Sequence, residues 1–328
     1  MKTSHRNSIL FVALILLLAA LFVFSGVKIL ESVLPGREIV ATDPQRVKTI
    51  IREGKEYFPR QDLTTIMLLG TDGTGELTAS NSYNNKASAD LVALMIFDES
   101  AKEFRVLNLN RDTMMDIPVL GINGKQAGTV YAQLAVSHNY GSGLGDSCEN
   151  TRKAVSDFLY GLPIDYYFAM NVDGIAILND GVGGVEVTVE EDFSQVAPEL
   201  KQGQTMVLTG EQAYAFLRSR MHVGSQLNTS RMARHKQYLE AFVGAFRNAL
   251  TEDASFFTTL WGELSSRAVT DCNPMVMNQL STQYKDYTFM GCISPEGENR
   301  LGQEFYEFYP DEEALDALIL ELFYQEKN

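Results

Sequence analysis

From Asn7 to Val27 the chain carries no charged residue, and that stretch constrains its surroundings more than any other feature. Ile9-Leu10-Phe11-Val12 and Leu16-Leu17-Leu18 lie inside it, with Lys2 and Arg6 in front and Lys28 behind. Twenty helical residues rise about 30 Å, the thickness of a bilayer's hydrocarbon core. A cleaved leader has a shorter apolar region, about 7–15 residues, followed by a small-residue cleavage site. Phe22-Val23-Phe24-Ser25-Gly26-Val27 is a poor cleavage site. Residues 1–30 are therefore expected to form a short cytoplasmic tip and an uncleaved transmembrane helix. Basic residues ahead of a span favour a cytoplasmic N-terminus, a bias that Lys28 and Arg37 weaken. The expectation is a single-pass protein of the cell membrane with its main body outside.

That body is acidic. From Glu31 onward there are 24 Lys and Arg against 42 Asp and Glu, a formal charge of −18. Nucleic acid is excluded as a partner, because its binding rests on many cationic contacts to phosphate. Any anion site must be a local basic cluster, which makes the positions of the arginines informative. Hydrophobic residues at 45% and charged residues at 21% suit a packed globular body. The three cysteines have no metal-ligand spacing. Cys272 and Cys292 could pair outside the membrane with Cys148 left over, or all could be buried thiols.

Residues 31–62 read as a linker or stalk helix, with Asp43-Pro44 as its start and Val47, Ile50 and Ile51 as its apolar stripe. Strands are expected at Thr64–Leu69, Leu91–Phe97, Arg105–Leu109, Tyr166–Val172 and Val185–Val189. The uninterrupted apolar run Leu91–Phe97 suggests a strand covered on both faces. Helices are expected from Asn150 to Tyr160, from the capping box Thr209-Gly210-Glu211-Gln212 through Leu217, from Ser230 onward, and after Pro310-Asp311. Interleaved strands and helices give an α/β class, a mixed central β-sheet flanked by helices. The main domain is expected over residues 63–265, with residues 266–328 as an extension packed on it.

Four places could carry chemistry. Leu68-Leu69-Gly70-Thr71-Asp72-Gly73 is a strand ending in a turn with an acid, and Asp90 opens the next strand. Two such carboxylates suit Mg²⁺, although Asp-Gly is also plain turn chemistry. Arg111-Asp112 follows a strand directly, so Arg111 could fork onto phosphate or simply pair with Asp112. Arg218 and Arg220 end a helix, where cations are favourable anyway. Arg231 and Arg234 occupy a helix's first turn, where the dipole disfavours them. Spacing of three and four puts them on one face with His235 and Tyr238. A helix N-terminus is itself an anion site, so arginines there fit a bound phosphate.

In order, these segments resemble the LytR-CpsA-Psr family of bacterial cell-wall glycopolymer transferases. The resemblance is carried by Gly70-Thr71-Asp72, Asp90, Arg111-Asp112-Thr113, Gly161-Leu162-Pro163-Ile164-Asp165-Tyr166-Tyr167, Gly183-Gly184-Val185-Glu186-Val187, Leu208-Thr209-Gly210-Glu211-Gln212-Ala213, Arg218-Ser219-Arg220 and Arg231-Met232-Ala233-Arg234. It implies a long apolar pocket for a polyprenyl chain, with Asp72 and Asp90 as Mg²⁺ ligands. Arg111, Arg218, Arg220 and Arg231 would hold a pyrophosphate, with Arg234 and His235 beside them. The implied reaction moves a glycan-phosphate from a polyprenyl-pyrophosphate-linked glycan, of teichoic acid or capsule type, to peptidoglycan at the lipid bilayer. Polyprenyl phosphate leaves. A pyrophosphatase would use the same residues, whereas a non-catalytic surface binder, sensor or attenuator would differ from either enzyme in its need for both acids. Ser88-Ala89-Asp90 lacks an arginine that the family carries there, Asn110 replaces a usual proline, and His235 replaces a usual glutamine.

Overall fold

The computed structural model describes residues 49–327, except positions 53, 83, 122–123, 254–255, 273–275, 277–279, 281–282 and 285–286. The expected anchor and the first part of the stalk lie outside the described residues. Among the described residues no helix is long and apolar enough to cross a membrane.

A short ribbon of β1 (Ile50–Arg52) and β2 (Lys55–Pro59) leads into β3 (Leu63–Thr71), β4 (Ala89–Asp98) and β5 (Glu103–Leu109). A hairpin, β6 (Met114–Leu120) and β7 (Gln126–Gln133), precedes helix α1 (Gly145–Phe158) and β8 (Tyr166–Asn171). Next come α2 (Gly174–Gly181), β9 (Val185–Thr188), β10 (Thr205–Leu208), α3 (Gly210–Arg218), α4 (Asn228–Glu252) and α5 (Phe256–Leu264). The chain continues with β11 (Ala268–Thr270), β12 (Thr288–Ile293), the hairpin β13 (Gly297–Leu301) and β14 (Tyr306–Pro310), α6 (Glu312–Phe323) and β15 (Tyr324–Glu326).

The central sheet has the order β11-β8-β3-β4-β5-β12. β8 runs parallel to β3 and β12 parallel to β5, while the other neighbours are antiparallel. The sheet is mixed, as expected. β4 explains why it has helices on both faces. Its apolar run alternates between two cores, Ala93, Met95 and Phe97 entering one and Val92, Leu94 and Ile96 the other. The first core is closed by Phe216, Phe242, Phe246 and Leu260 from α3, α4 and α5. The second is closed by Val155 from α1 and by Leu315 and Ile319 from α6.

Local chemistry sets the helix starts. The Thr209 hydroxyl accepts the Gln212 N–H at 3.4 Å while the Gln212 side chain accepts the Thr209 N–H at 3.0 Å, the capping box read from the sequence. Asp311 caps α6 by accepting the Ala314 N–H at 2.9 Å. α4 begins at Asn228, two residues ahead of the expected Ser230.

Two expectations change, and the alternative left open for the cysteines is decided. Ile50 and Ile51 lie in β1, and β2 next to it pairs with β15 from the far end of the chain, so this part of the stalk is strand rather than helix. Residues 266–328 are no appended extension, since they supply both edge strands of the central sheet and the helix over its second core. Cys272 and Cys292 are free thiols, as is Cys148, so no disulfide forms.

Candidate active site

The ends of β3, β5 and β8 and the start of β4 meet at one edge of the sheet. Gly70 pairs with Leu91 but Thr71 pairs with Ala89, which leaves Asp90 as the extra residue of a bulge. A bulge bends its strand and re-aims a side chain, and here it takes Asp90 out of the ladder. Gly70 permits the close crossing, because a Cβ there would sit 3.0 Å from the Leu91 Cβ.

Three arginines converge on the displaced carboxylate. Arg111, just past β5, pairs with Asp90 Oδ1. Arg218, at the end of α3, reaches Oδ2 at 2.5 Å. Arg231, in the first turn of α4, lies 3.3 Å from Oδ2 and donates to the Asp90 carbonyl at 3.3 Å. Arg220 joins through a second carboxylate, with Asp112 Oδ2 at 3.6 Å, while Arg111 Nε is 3.4 Å from Asp112 Oδ1. Residues 128 and 141 positions from Asp90 in sequence thus share its Oδ2, while Arg111 takes Oδ1.

Two asparagines fix this arrangement, and sequence reasoning gave neither that role. Asn228 Oδ1 accepts from Arg231 Nε at 3.0 Å and Nη2 at 2.7 Å. Its amide donates to Asn110 Oδ1 at 2.8 Å, and Asn110 also receives the Asp112 N–H at 3.0 Å. The available signal was spacing, since Asn228 lies three residues before Arg231 and so on the same helix face.

Two other named residues, Arg234 and His235, are committed to partners outside the cluster. Arg234 is held by Glu191 and the Ser219 carbonyl, with its guanidinium 5.3 Å from the Phe193 ring centre. It braces α4 against the strand-side loop and leaves no free fork for phosphate. His235 Nε2 donates to the Leu217 carbonyl at 3.0 Å. Burial, followed by the charge of Arg231, pushes its pKa down to about 3, so the ring is neutral and cannot serve as a cationic phosphate ligand. Asp72 is fixed by the Ser88 N–H at 2.7 Å and favours the charged form of Arg111 through its field.

The cluster is short of negative charge. Four guanidiniums face Asp90, Asp112 and Asp72. Burial pushes Arg111 and Arg231 down to about 10, and neighbouring arginines add to the shift. Burial also pushes Asp112 up, against the pull of Arg111, Arg220 and Arg231. Asn110 Nδ2 and Asp112 Oδ2 are buried without a hydrogen-bond partner in the described structure. An added anion would relieve the buried cations. No group of three or more His, Cys, Asp or Glu suited to a metal occurs among the described residues. Asp72 and Asp90 both act on Arg111, and carboxylates are the donor type that Mg²⁺ takes together with waters and phosphate oxygens.

Behind the arginines an apolar cavity of about 220 Å³ opens into the first core. Leu68, Phe168, Met170, Ile175, Leu239 and Phe242 line it, and Asp90, Arg218 and Arg231 form its polar end.

The chain is 28% identical over 183 residues to the polyisoprenyl-teichoic acid–peptidoglycan teichoic acid transferase TagU of Halalkalibacterium halodurans, spanning 56% of this chain and 53% of that one. To the TagU of Bacillus anthracis it is 26% identical over 233 residues, spanning 70% and 68%. It thus covers about half the length of the first relative and about two thirds of the second. Among solved structures, TagT bound to LI-WTA shares the fold with a TM-score of 0.59 at 21% identity, covering 80% of this chain and 90% of that one. B. subtilis TagV gives 0.59 at 22%, over 80% and 96%. Protein gbs0355 from Streptococcus agalactiae gives 0.63 at 20%, over 80% and 86%. The family model described as the LytR_cpsA_psr family matches residues 37–322, and the chain belongs to that family.

Proposed function

We propose that the protein is a phosphotransferase that attaches a polyprenyl-pyrophosphate-linked glycopolymer, of teichoic acid or capsule type, to peptidoglycan. One juxtaposition carries this reading: an apolar cavity ends on guanidiniums gathered round a bulged carboxylate. That shape suits an amphiphile with a long apolar tail and a doubly anionic head. The names of the TagU relatives point to the same chemistry.

The tail would enter between the sheet and α4 while Arg111, Arg218, Arg220 and Arg231 take the phosphate oxygens. Asp72 and Asp90 would hold Mg²⁺, which supplies charge neutralisation on the diphosphate. A peptidoglycan sugar hydroxyl attacks the phosphorus nearer the glycan. The new O–P bond forms as the bond to polyprenyl phosphate breaks, and the hydroxyl proton is released. Catalysis of this kind is mostly positioning and stabilisation of developing charge, which fixed guanidiniums provide without reorganising. Asp112 serves to hold Arg111 and Arg220 together. The expected anchor over residues 1–30 would keep the cavity at the cell surface, next to the bilayer that carries the donor.

A transfer assay with lipid-linked donor and peptidoglycan tests this. Arg231→Ala should raise the donor KM at least about tenfold, and Asp90→Ala should lower kcat by about 100-fold or more. Full turnover by the Asp72→Ala/Asp90→Ala double variant with chelator present rules out the metal-assisted mechanism. Release of polyprenyl phosphate that is indifferent to peptidoglycan marks a pyrophosphatase, and donor binding without turnover marks a surface binder.

A further inference from the structure

Two ribbons stand beside the arginine cluster, and neither the cavity nor the transfer chemistry uses them. The β6–β7 ribbon springs from the segment that carries Arg111 and Asp112. The Leu134 N–H donates to the Thr113 carbonyl at 2.8 Å and the Ala135 N–H to the Arg111 carbonyl at 2.9 Å. The β13–β14 ribbon is tied to the same segment, because the Phe308 N–H donates to the Asp112 carbonyl at 2.8 Å and Thr113 bridges to Phe308. The ribbons also meet each other, where Gln133 Nε2 donates to the Tyr306 carbonyl at 2.7 Å. One segment therefore positions the arginines and carries both ribbons.

Their outward residues combine rings with polar groups. Tyr131 is 56% exposed and lies opposite the exposed Asp116 in the β6–β7 register. The Arg300 guanidinium lies 4.5 Å from the Tyr309 ring centre, and the Tyr309 hydroxyl donates to Glu307 at 2.7 Å. That hydrogen bond, chiefly, raises the pKa of the Tyr309 hydroxyl. Tyr131 and Gln133, two residues apart on β7, share the strand face that meets β14. Glu298 is bound to Arg300 on the same strand. Rings flanked by carboxylates, a guanidinium and amides match a sugar chain, whose C–H faces lie on aromatic rings and whose hydroxyls bond to the polar rim. The carboxylates repel a phosphate-rich polymer, so the donor glycopolymer does not suit this face. A neutral sugar backbone meets no such opposition.

We propose that Tyr131, Tyr309 and their polar rim form the subsite for the acceptor, the sugar backbone of a peptidoglycan strand. It rests on the transferase reading, and it lays the strand beside Asp112, where a sugar hydroxyl can reach the diphosphate. The experiment uses the full chain, a short peptidoglycan oligosaccharide as probe, direct binding, and transfer kinetics with donor and acceptor varied separately. Tyr131→Ala and Tyr309→Ala should each weaken acceptor binding and raise the acceptor KM about tenfold, with the donor KM unchanged. Tyr131→Phe keeps the ring and should restore most of the acceptor binding that Tyr131→Ala loses, while Val207→Ala, which removes an exposed side chain from β10, should match the parent. Thermal melting followed by circular dichroism checks that each variant is folded. An unchanged acceptor KM in the folded double tyrosine variant overturns the subsite, and so does a rise confined to the donor KM. Oligosaccharide binding that the tyrosine variants lose, in a protein without transfer activity, keeps the subsite and removes the transferase reading.

Discussion

Asp90 has two carboxylate oxygens, and three guanidiniums share them. Breaking a buried ion pair costs more than the pair contributes, because the remaining charge loses its partner. Asp90→Ala should therefore destabilise the unliganded protein by about 3 kcal/mol. Added pyrophosphate should return part of that loss by occupying the vacated position, which thermal melts with and without the anion will show. His235 gives a second prediction, with its sign fixed by linkage. The unfolded chain binds its proton near pH 6.5, the folded one only near 3. Keeping the ring neutral thus contributes stability that is complete above about pH 6.5 and is lost as pH falls towards 3. Urea unfolding across pH 6 to 4 should show a shallower decline for His235→Gln, by up to about 1.4 kcal/mol per pH unit.

The loop from Asp72 to Ala89 is held by a buried histidine outside the cluster. His138 Nδ1 donates to the Ala87 carbonyl at 2.8 Å, and Asn85 Nδ2 donates to the His138 carbonyl at 2.7 Å. Ala87 precedes Ser88, whose N–H fixes Asp72. Burial lowers the His138 pKa, so the ring stays neutral and its Nδ1 proton is committed to that carbonyl. His138→Asn can keep a donor at the Nδ1 position. It should retain most transfer activity, whereas His138→Leu should lose about tenfold, the effect of displacing a positioned group. Elements of this kind divide into those legible in sequence and those not. The Thr209 capping box, the doubly covered β4 and Arg231 placed against the dipole of α4 are written within a few residues, where periodicity and helix-end chemistry operate. The helix start at Asn228 instead puts Arg234 in the second turn. The bulge at Asp90 depends on how β3 and β4 align, and β1 is a strand beside a β2 that β15 flanks from the other end. Arg234 and His235 share a helix face with Arg231 as the spacing required, yet their partners, Glu191 and Leu217, come from distant segments. Spacing reports a face and not what lies opposite.

At the scale of the molecule, residues 266–328 belong to the sheet and to the second core. A chain truncated after Ser265 loses β11, β12 and α6 and should unfold without a cooperative transition, as calorimetry will register. Phe246 is fully buried in the first core, and Phe246→Ala should cost about 3–5 kcal/mol in chemical denaturation. The cavity lies in that first core, while the second is closed around Leu94, Val155 and Ile319. The sheet is therefore a wall that is hollow on one side and solid on the other. On the proposed reading, an isoprenoid too bulky for the hollow can displace only the lining helices α2, α3 and α4, because the strands are backed from behind. Asp90, Arg111 and Asp112 at the strand ends would stay still, while Arg218 and Arg231 would move with the helices that carry them. Under the proposed transferase reading, lengthening the isoprenoid should then loosen the grip of Arg218 and Arg231 on the diphosphate and raise the donor KM, while the strand-end groups keep their places.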